Sequence, residues 1–299
     1  MADRTNIEWA DSTANLWIGC TKLSPGCDNC YAERDWDHRK HRVTWGPHGD
    51  RSFCAAGWDL ILRMQRRAAG NNGVDPDLGR KRRIFVNSLS DFFDNHRSII
   101  WRDEAFRLFE ACRDVILILV TKRPENVIRM VPEGWLLPGG WPAHVWLLTS
   151  AEDQERYDHR WPILRDLPGP AVKGLSIEPM LGPISLRDLL HLDWVIVGGE
   201  SGPNARPMHP DWAQSLRDQC QAAGVPFLFK QWGEWLPAVS EDTGEGLVMW
   251  PEDGRDLEQD FSEWGRHPIR NLPGQEMWRV GKKRAGRFLA GRTWDEVPA

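Results

Sequence analysis

The sequence lacks several features that would narrow its class at once. It has no apolar run near the roughly 20 residues that a membrane-spanning helix needs. Its first residues, MADRTNIEWADST, have no apolar core of the kind found in secretory signals. There is no internal repeat. We therefore expect a cytoplasmic protein without membrane association.

An overall positive charge is also missing, because the formal net charge is −5 and the isoelectric point is near 6.0. This excludes a protein whose whole surface attracts nucleic acid. Basic runs occur at 38–42, 79–83 and 281–287, and solvated surface is the simplest interpretation of each. Tyrosine is scarce, with 2 residues against 18 tryptophans. Most of these indoles should pack in the core or at its rim, and base stacking by a few stays open.

What the sequence does contain is a series of short apolar runs separated by amphipathic stretches. Each run is rich in β-branched, leucine and aromatic residues and ends abruptly in polar ones, which is typical of a strand buried on both faces. The runs are 83–91, 115–124, 144–153, 171–179, 193–202 and 226–235, with an earlier one at 14–19. Residues 101–114 and 210–224 are typical of the intervening helices.

Repeated strand–helix units predict a parallel sheet. We expect an α/β fold, a partial (β/α)6–7 TIM-type barrel, with a doubly wound open sheet as the alternative. We expect this barrel to occupy residues 1–235, with an insertion at about 36–82. Residues 236–299 should form an irregular C-terminal extension with a basic tail.

Half of the six cysteines fall within eleven residues, in the segment NLWIGCTKLSPGCDNCYAER. Cys20, Cys27 and Cys30 have the spacing C-x6-C-x2-C and follow the first predicted strand. Three thiolates suit three corners of an iron–sulfur cluster or three positions around zinc. A loop after the first barrel strand would aim such a centre at the polar strand ends. The other cysteines, Cys54, Cys112 and Cys220, are interpreted as a surface thiol and two core residues.

This segment resembles the cluster-binding loop of radical S-adenosylmethionine (SAM) enzymes, especially the spore-photoproduct-lyase-like branch, although the common first gap there is three residues. The chain as a whole resembles a phage and prophage family of unassigned function. That likeness extends over IEW, RRIFVNSLSDFF, LVTKRPE, SIEPMLGPI, WVIVGGESGPNARPM and FLFKQWGEW.

The resemblance implies a [4Fe–4S] cluster on Cys20, Cys27 and Cys30 with SAM on the fourth iron. It implies a cofactor-binding serine, Ser88 or Ser90, and Lys122, whose ammonium suits the cofactor carboxylate. Asp91 suits its amino group. Lys122 and Glu178 are the candidate catalytic residues. The remaining candidate cofactor ligands are Tyr31, Gly198, Gly199 and Glu200. Packing or ion pairing, for Lys122 with Asp91 or Glu152, is the alternative for these residues.

The resemblance also implies partners: an electron donor of flavodoxin or ferredoxin type, a nucleic acid or nucleotide as substrate, and a dedicated phage-encoded protein. Two other interpretations remain. One is a binding module for nucleic acid or protein, stapled by zinc or an iron–sulfur cluster. The other is a hydrolase that uses Asp91, Glu178 and Glu200 with Mg²⁺ or Mn²⁺.

Overall fold

Seven strands lie side by side in chain order in one parallel sheet, with no reversal of the order. The computed structural model describes residues 2–96, 99–237 and 269–298. The strands are β1 (Ser12–Ala14), β4 (Arg82–Val86), β5 (Val115–Thr121), β6 (Val145–Ser150), β7 (Lys173–Ile177), β8 (Trp194–Gly198) and β9 (Phe227–Gln231). The predicted partial α/β barrel is confirmed, because a doubly wound sheet requires a switch in strand order.

The first strand lies slightly before the predicted position at 14–19. Beyond β1 the backbone hydrogen bonds to β4 give way to bonds with asparagine side chains. The Leu16 N–H donates to Asn87 Oδ1 and the Leu89 N–H donates to Asn15 Oδ1, and the chain bends there. The next residues form a short separate ribbon in which β2 (Trp17–Ile18) pairs antiparallel with β3 (Ser52–Phe53).

Helices cover one face of the sheet and bury it. They are α2 (Ala55–Ala69), α3 (Ile99–Ala111), α4 (Pro124–Met130), α5 (Gln154–Asp166) and α6 (Pro210–Ala223), whereas the three-residue α1 (Tyr31–Glu33) follows Cys30 at the end of the cysteine loop. The predicted helices at 101–114 and 210–224 correspond to α3 and α6. Cys112 and Cys220 are fully buried in this layer, as expected. Residues 36–82, which we predicted as an insertion, contain α2, the helix that connects β1 to β4.

The other face of the sheet carries a second apolar cluster. Residues at every second strand position, such as Ile118, Leu148 and Ile196, pack there against Trp9 and Ala10. The N-terminal IEW segment therefore covers the concave inner face of the sheet on the side away from the carboxyl ends of the strands. Because strand side chains alternate with period two, Lys122, Ser150, Glu178, Gly198 and Lys230 continue this inner face at the carboxyl ends of the strands.

After β9 the chain forms a small antiparallel sheet, in the order β10 (Trp235–Pro237), β12 (Gln275–Arg279), β11 (Ile269–Leu272). Most of the segment predicted to be irregular, 238–268, lies outside the described residues. The basic tail begins with one helical turn, Lys282–Ala285, and its end lies beside β9, where the Phe229 N–H donates to the carbonyl of Trp294. None of the described helices combines the length and apolarity needed to cross a membrane.

Candidate functional site

The cysteine loop runs across the carboxyl edge of the sheet. It leaves the β2 ribbon at Gly19, where φ is +110° and a Cβ would lie 2.6 Å from the carbonyl oxygen of Asp50. Only glycine fits this position. One 3₁₀ turn, Pro25–Cys27, shortens the span between the first two cysteines, and Cys30 precedes α1. All three thiols are free and partly exposed.

A buried ion-pair network holds the start of the loop. The Arg123 guanidinium donates to the carbonyl oxygen of Thr21 (2.7 Å), and that of Arg51 donates to Thr21 Oγ1 (2.9 Å). Asp91 binds Arg123 (3.0 Å) and Asp94 binds Arg51 (2.5 Å), so each arginine is itself fixed by a buried carboxylate. The residue next to Cys20 is therefore tied to the ends of the second and third sheet strands.

A second anchor holds the residue before Cys27. Glu152, which is 1% exposed, accepts from the Gly26 N–H (3.2 Å) and from Arg160 (2.9 Å). A Cβ on Gly26 would lie 3.2 Å from the Glu152 carboxyl carbon, so a larger residue there would crowd this carboxylate. Burial raises the pKa of Glu152, but the charges of Lys122 and Arg160 and the Gly26 N–H outweigh it, and the net pKa is lowered.

A third anchor lies on the loop after β8. Glu200, 5% exposed, accepts from Asn29 Nδ2 (3.0 Å) and from Arg206 at both carboxylate oxygens (2.8 and 2.5 Å). Arg206 also donates to the carbonyl of Pro25 (2.8 Å) and pairs with Asp28 (3.3 Å). Asn29 stands between Cys27 and Cys30, so this anchor fixes the C-x2-C half of the motif.

The environments of the three thiols differ. Burial, with the nearby charges of Asp91 and Asp94, raises the pKa of Cys20 to about 12. Burial also raises the pKa of Cys30, an effect opposed by the positive charge of Lys122. At neutral pH both thiols therefore stay protonated until a metal or another positive charge takes the place of the protons.

The donor set has the chemistry that an iron–sulfur cluster requires, because Cys20, Cys27 and Cys30 are unoxidised thiols on one anchored loop. The Cys30 N–H donates to the carbonyl of Cys27 (3.3 Å), so these two cysteines share one turn of the loop. Within residues 2–96, 99–237 and 269–298, however, no three Cys, His, Asp or Glu side chains are arranged as a metal site. The residues fit a cluster by type and by placement at the sheet edge, and binding one requires the sulfurs to draw together.

The predicted cofactor residues on the second and third sheet strands lie beside this loop. Tyr31, which follows Cys30, donates its hydroxyl to the carbonyl of Ser88 (2.6 Å). Lys122 Nζ contacts Ser150 Oγ (3.3 Å), and among the described side chains it has no ion pair with Asp91 or Glu152. The ammonium group of Lys122 is therefore held toward the inner face without a bound carboxylate.

Two other predicted residues are used internally. Asp91 accepts from the N–H groups of Lys122 and Phe93, from the Thr121 hydroxyl and from Arg123. Ser90 donates to the carbonyl of Trp17 (3.2 Å). Asp91 therefore supports the backbone of Lys122, and Ser90 supports that of Trp17, just before the cysteine loop.

Glu178 lies on the inner face, away from the anchors. It pairs with Lys230 (2.8 Å) and accepts from the indole of Trp9 (3.2 Å). A Cβ on Gly198 would approach Glu178 Oε1 to 3.0 Å, and one on Gly199 would collide with the carbonyl of Trp232 at 1.8 Å. Gly198 and Gly199 therefore allow close packing within the protein. Glu200 faces the cysteine loop, so its carboxylate lies apart from that of Glu178.

Sequence reasoning placed Arg123 at a polar strand end but gave it no role, and it missed Arg51, Arg160 and Arg206. TKRPE and GPNARP carry a signal for Arg123 and Arg206, whereas Arg51 and Arg160 lie away from the predicted strand ends. Spacing along the chain does not reveal which carboxylate each one meets, since Arg51 and Arg206 bind acids 43 and 6 residues away.

These features define an α/β half-barrel whose carboxyl edge is crossed by an anchored three-cysteine loop. The chain belongs to the family described as Protein of unknown function (DUF5131), whose model matches residues 4–298. No curated protein matches the sequence significantly.

Among solved structures, the chain is similar to two mutants of spore photoproduct lyase. One has bound AdoMet and dinucleoside spore photoproduct, with a TM-score of 0.42 and 11% identity. The other has a TM-score of 0.41 and 12% identity. Each match covers 91% of this chain and 68% of the lyase chain. Similarity at this level assigns no cofactor or substrate to the present chain.

Proposed function

We propose that this protein is a radical-SAM-type enzyme that binds a [4Fe–4S] cluster through Cys20, Cys27 and Cys30, with SAM at the fourth iron. The observation that supports this most is the position of the loop. It is anchored across the carboxyl edge of a β/α half-barrel, where sites in this architecture are built, and beside it lies Lys122, which has no ion pair among the described residues.

Cys20, Cys27 and Cys30 would hold the cluster and leave its fourth iron for SAM, and the bound group would supply one-electron reductive cleavage of SAM and abstraction of a hydrogen atom from the substrate. The chain's own residues bind and orient. Lys122 is proposed to hold the SAM carboxylate, because its ammonium contacts Ser150 and has no ion pair among the described residues. Ser88, whose carbonyl is fixed by Tyr31 and whose hydroxyl accepts from the Asn15 amide (3.1 Å), would turn that hydroxyl to the methionine amino group. Glu178 and Lys230 would orient the substrate on the inner face.

The partners proposed are those that the sequence suggests. The reducing electron would come from a donor of flavodoxin or ferredoxin type, and the substrate would be a nucleic acid or nucleotide. A dedicated phage-encoded protein would be a further partner. The six cysteines are free, which supports a reducing, cytoplasmic compartment.

A second candidate is a non-catalytic module in which the same cysteines bind zinc or a cluster as a structural staple. It is favoured by one observation: buried ion pairs and hydrogen bonds fix the cysteine loop to several strand ends, and such support suits a centre that only stabilises the fold. A structural site would not need Lys122 to be unpaired.

Anaerobic reconstitution distinguishes the two candidates. The enzyme should bind about four irons and four sulfides per chain, with an electron paramagnetic resonance spectrum that changes when SAM is added. Cys20→Ala, Cys27→Ala and Cys30→Ala should each lose the iron, whereas Cys54→Ala, which removes a partly exposed thiol elsewhere, should keep it. One zinc per chain and no response to SAM would exclude the radical enzyme.

A further inference from the structure

A basic segment begins and ends at the cysteine loop. It leaves Cys30 through α1 and π-helical turns, Arg34–Arg39, and returns where the Gly46 N–H donates to the carbonyl of Cys20 (3.0 Å). Its residues 38–42, His-Arg-Lys-His-Arg, are all exposed. These side chains therefore lie next to the candidate site, although their position in the sequence does not indicate it.

A second basic segment reaches the same edge of the sheet from the C-terminus. Lys282, Lys283 and Arg284 are consecutive and exposed. Their helical turn is fixed at both ends to the residues that follow β9, since the Gly281 N–H donates to the carbonyl of Glu234 and the Trp232 N–H donates to that of Gly286.

An arginine at the start of the first segment and an arginine just before the second both approach Gly202. A Cβ on Gly202 would lie 2.5 Å from the Arg34 guanidinium, and the Gly202 carbonyl accepts from Arg279 (3.0 Å). Arg34 starts the first segment and Arg279 precedes the second by three residues. Beside this junction is a cavity of about 160 Å³ whose charged lining is mixed: Lys22, Arg34 and His38 face it together with Asp28 and Glu33, and Cys30 lies at its wall. An occupant of the junction would therefore border the cysteine loop.

The positive charges of the two segments are only partly paired with carboxylates. We define the basic rim as Arg39, Lys40, Arg42, Lys282, Lys283 and Arg284. Arg39 pairs with Asp35 (3.3 Å), whereas Arg42, Lys283 and Arg284 have no carboxylate partner in the described part of the chain. The molecule as a whole carries a net charge of −5, so the rim is a local exception on an acidic protein.

Indole rings lie among these cations. Trp36 and Trp45 are partly exposed, and Lys40 Nζ stands 4.1 Å from the centre of the Trp36 ring. A positive track with aromatic platforms is the combination that binds single strands, in which phosphates meet the cations and bases stack. An acidic protein partner would use the charges but would have no need of the rings.

We propose that the basic rim binds the phosphate backbone of a single-stranded nucleic acid and brings the strand to the mouth of the half-barrel. Binding of the strand depends on the basic rim alone. Only the reaction of the bound strand rests on the proposed function. The basic rim gives the proposed nucleic-acid substrate a surface, made by two segments that are about 240 residues apart in the chain.

The test is fluorescence anisotropy with a labelled single-stranded DNA of about 20 nucleotides and the full-length protein. The rim variants are Arg39→Glu with Lys40→Glu, and Lys282→Glu with Lys283→Glu. The matched control, Arg66→Glu with Arg107→Glu, makes the same charge change at exposed positions on α2 and α3. Each rim variant should bind about ten-fold more weakly or worse, and the salt dependence should be shallower by about 1.4 in log K against log salt.

The control should change the Kd less than about two-fold. An equal loss in the control, no saturable binding by the wild type, or equally tight binding of polyglutamate would overturn the proposal. Iron content is measured on the same preparations. If iron-loaded protein does not bind DNA, only the proposal for the basic rim is contradicted. If the protein binds DNA but never takes up iron, only the proposed radical function is contradicted.

Discussion

Arg206 donates to both carboxylate oxygens of Glu200 and also to the carbonyl oxygen of Pro25 in the cysteine loop. Glu200 in turn accepts from Asn29, the residue just before Cys30. One ion pair on the loop after β8 thus holds the backbone before Cys27 and the side chain before Cys30. The GGESGPNARP motif is best understood as the support of the cysteine loop.

Replacing Glu200 with Gln should loosen this support. The amide keeps the size of the side chain but removes the charge that organises Arg206 and Asn29. Because residues behind metal ligands commonly change metal affinity ten-fold or more, we expect iron to leave Glu200→Gln about ten-fold faster in the presence of a chelator. The measurement is the rate of iron loss from reconstituted protein, followed by absorbance.

The matched control for this experiment is Glu155→Gln. Glu155 also pairs with an arginine, Arg156 at 2.6 Å, but it is exposed on α5 and does not contact the cysteine loop. Its iron loss should equal that of the wild type. If Glu200→Gln also retains iron like the wild type, the anchor does not determine how the loop holds a cluster.

Replacing Lys122 with Met should weaken SAM binding while leaving the cluster in place. The ammonium contacts Ser150 but no carboxylate among the described residues, so its removal leaves no buried anion unpaired. A lost charge-assisted hydrogen bond of about 1.5–3 kcal/mol corresponds to a loss of ten-fold or more in affinity. Equilibrium dialysis of radiolabelled SAM against reconstituted protein measures this.

Lys81→Met is the control, since Lys81 donates to the carbonyl of Arg113 at an exposed site before β4, at the opposite edge of the sheet. It should bind SAM normally. Unchanged affinity in Lys122→Met, with iron content equal to that of the wild type, would remove Lys122 from the cofactor site.

Gly57 should resist substitution by alanine, although it lies in a helix, where alanine is normally the better residue. A Cβ at Gly57 would lie 1.9 Å from the carbonyl oxygen of Asn15, so α2 would have to move away from the end of β1. We expect a loss of about 1–3 kcal/mol in unfolding free energy, measured by chemical denaturation. Gly134→Ala, where a Cβ meets nothing within 4 Å, should be neutral. Equal stability of the two variants would show that α2 can shift freely.

Stability should fall in acid because of Asp75. A hydrogen bond from Arg82, 2.7 Å long in a buried pair, lowers the pKa of Asp75 below its usual value of 3.8. A carboxylate with a lowered folded pKa stabilises the protein above the unfolded value, and this contribution is lost as pH falls through the folded pKa. Denaturation midpoints of wild type and Asp75→Asn should therefore differ most at neutral pH and converge below about pH 3.8. A constant difference across pH would contradict this.

The sequence by itself was sufficient for the sheet. Runs such as VILILVT and DWVIVGG are buried on both faces, and an element of that length with no polar face has few alternatives to an inner parallel strand. Their number and alternation with helices predicted the half-barrel, and the spacing C-x6-C-x2-C placed a thiol-rich loop at its first turn. These inferences succeeded because they depend on local composition and period.

Only the tertiary structure decided how the polar residues are used. Glu152, Glu178 and Glu200 are alike in sequence, each following a buried strand, yet Glu152 and Glu200 hold the cysteine loop while Glu178 pairs with Lys230 on the inner face. A carboxylate's role depends on which cation and which N–H lie within about 3 Å, and those groups come from distant parts of the chain. The approach of Arg34 and Arg279 to one glycine, Gly202, has the same cause, because charge runs carry no information about the partner that folding brings beside them.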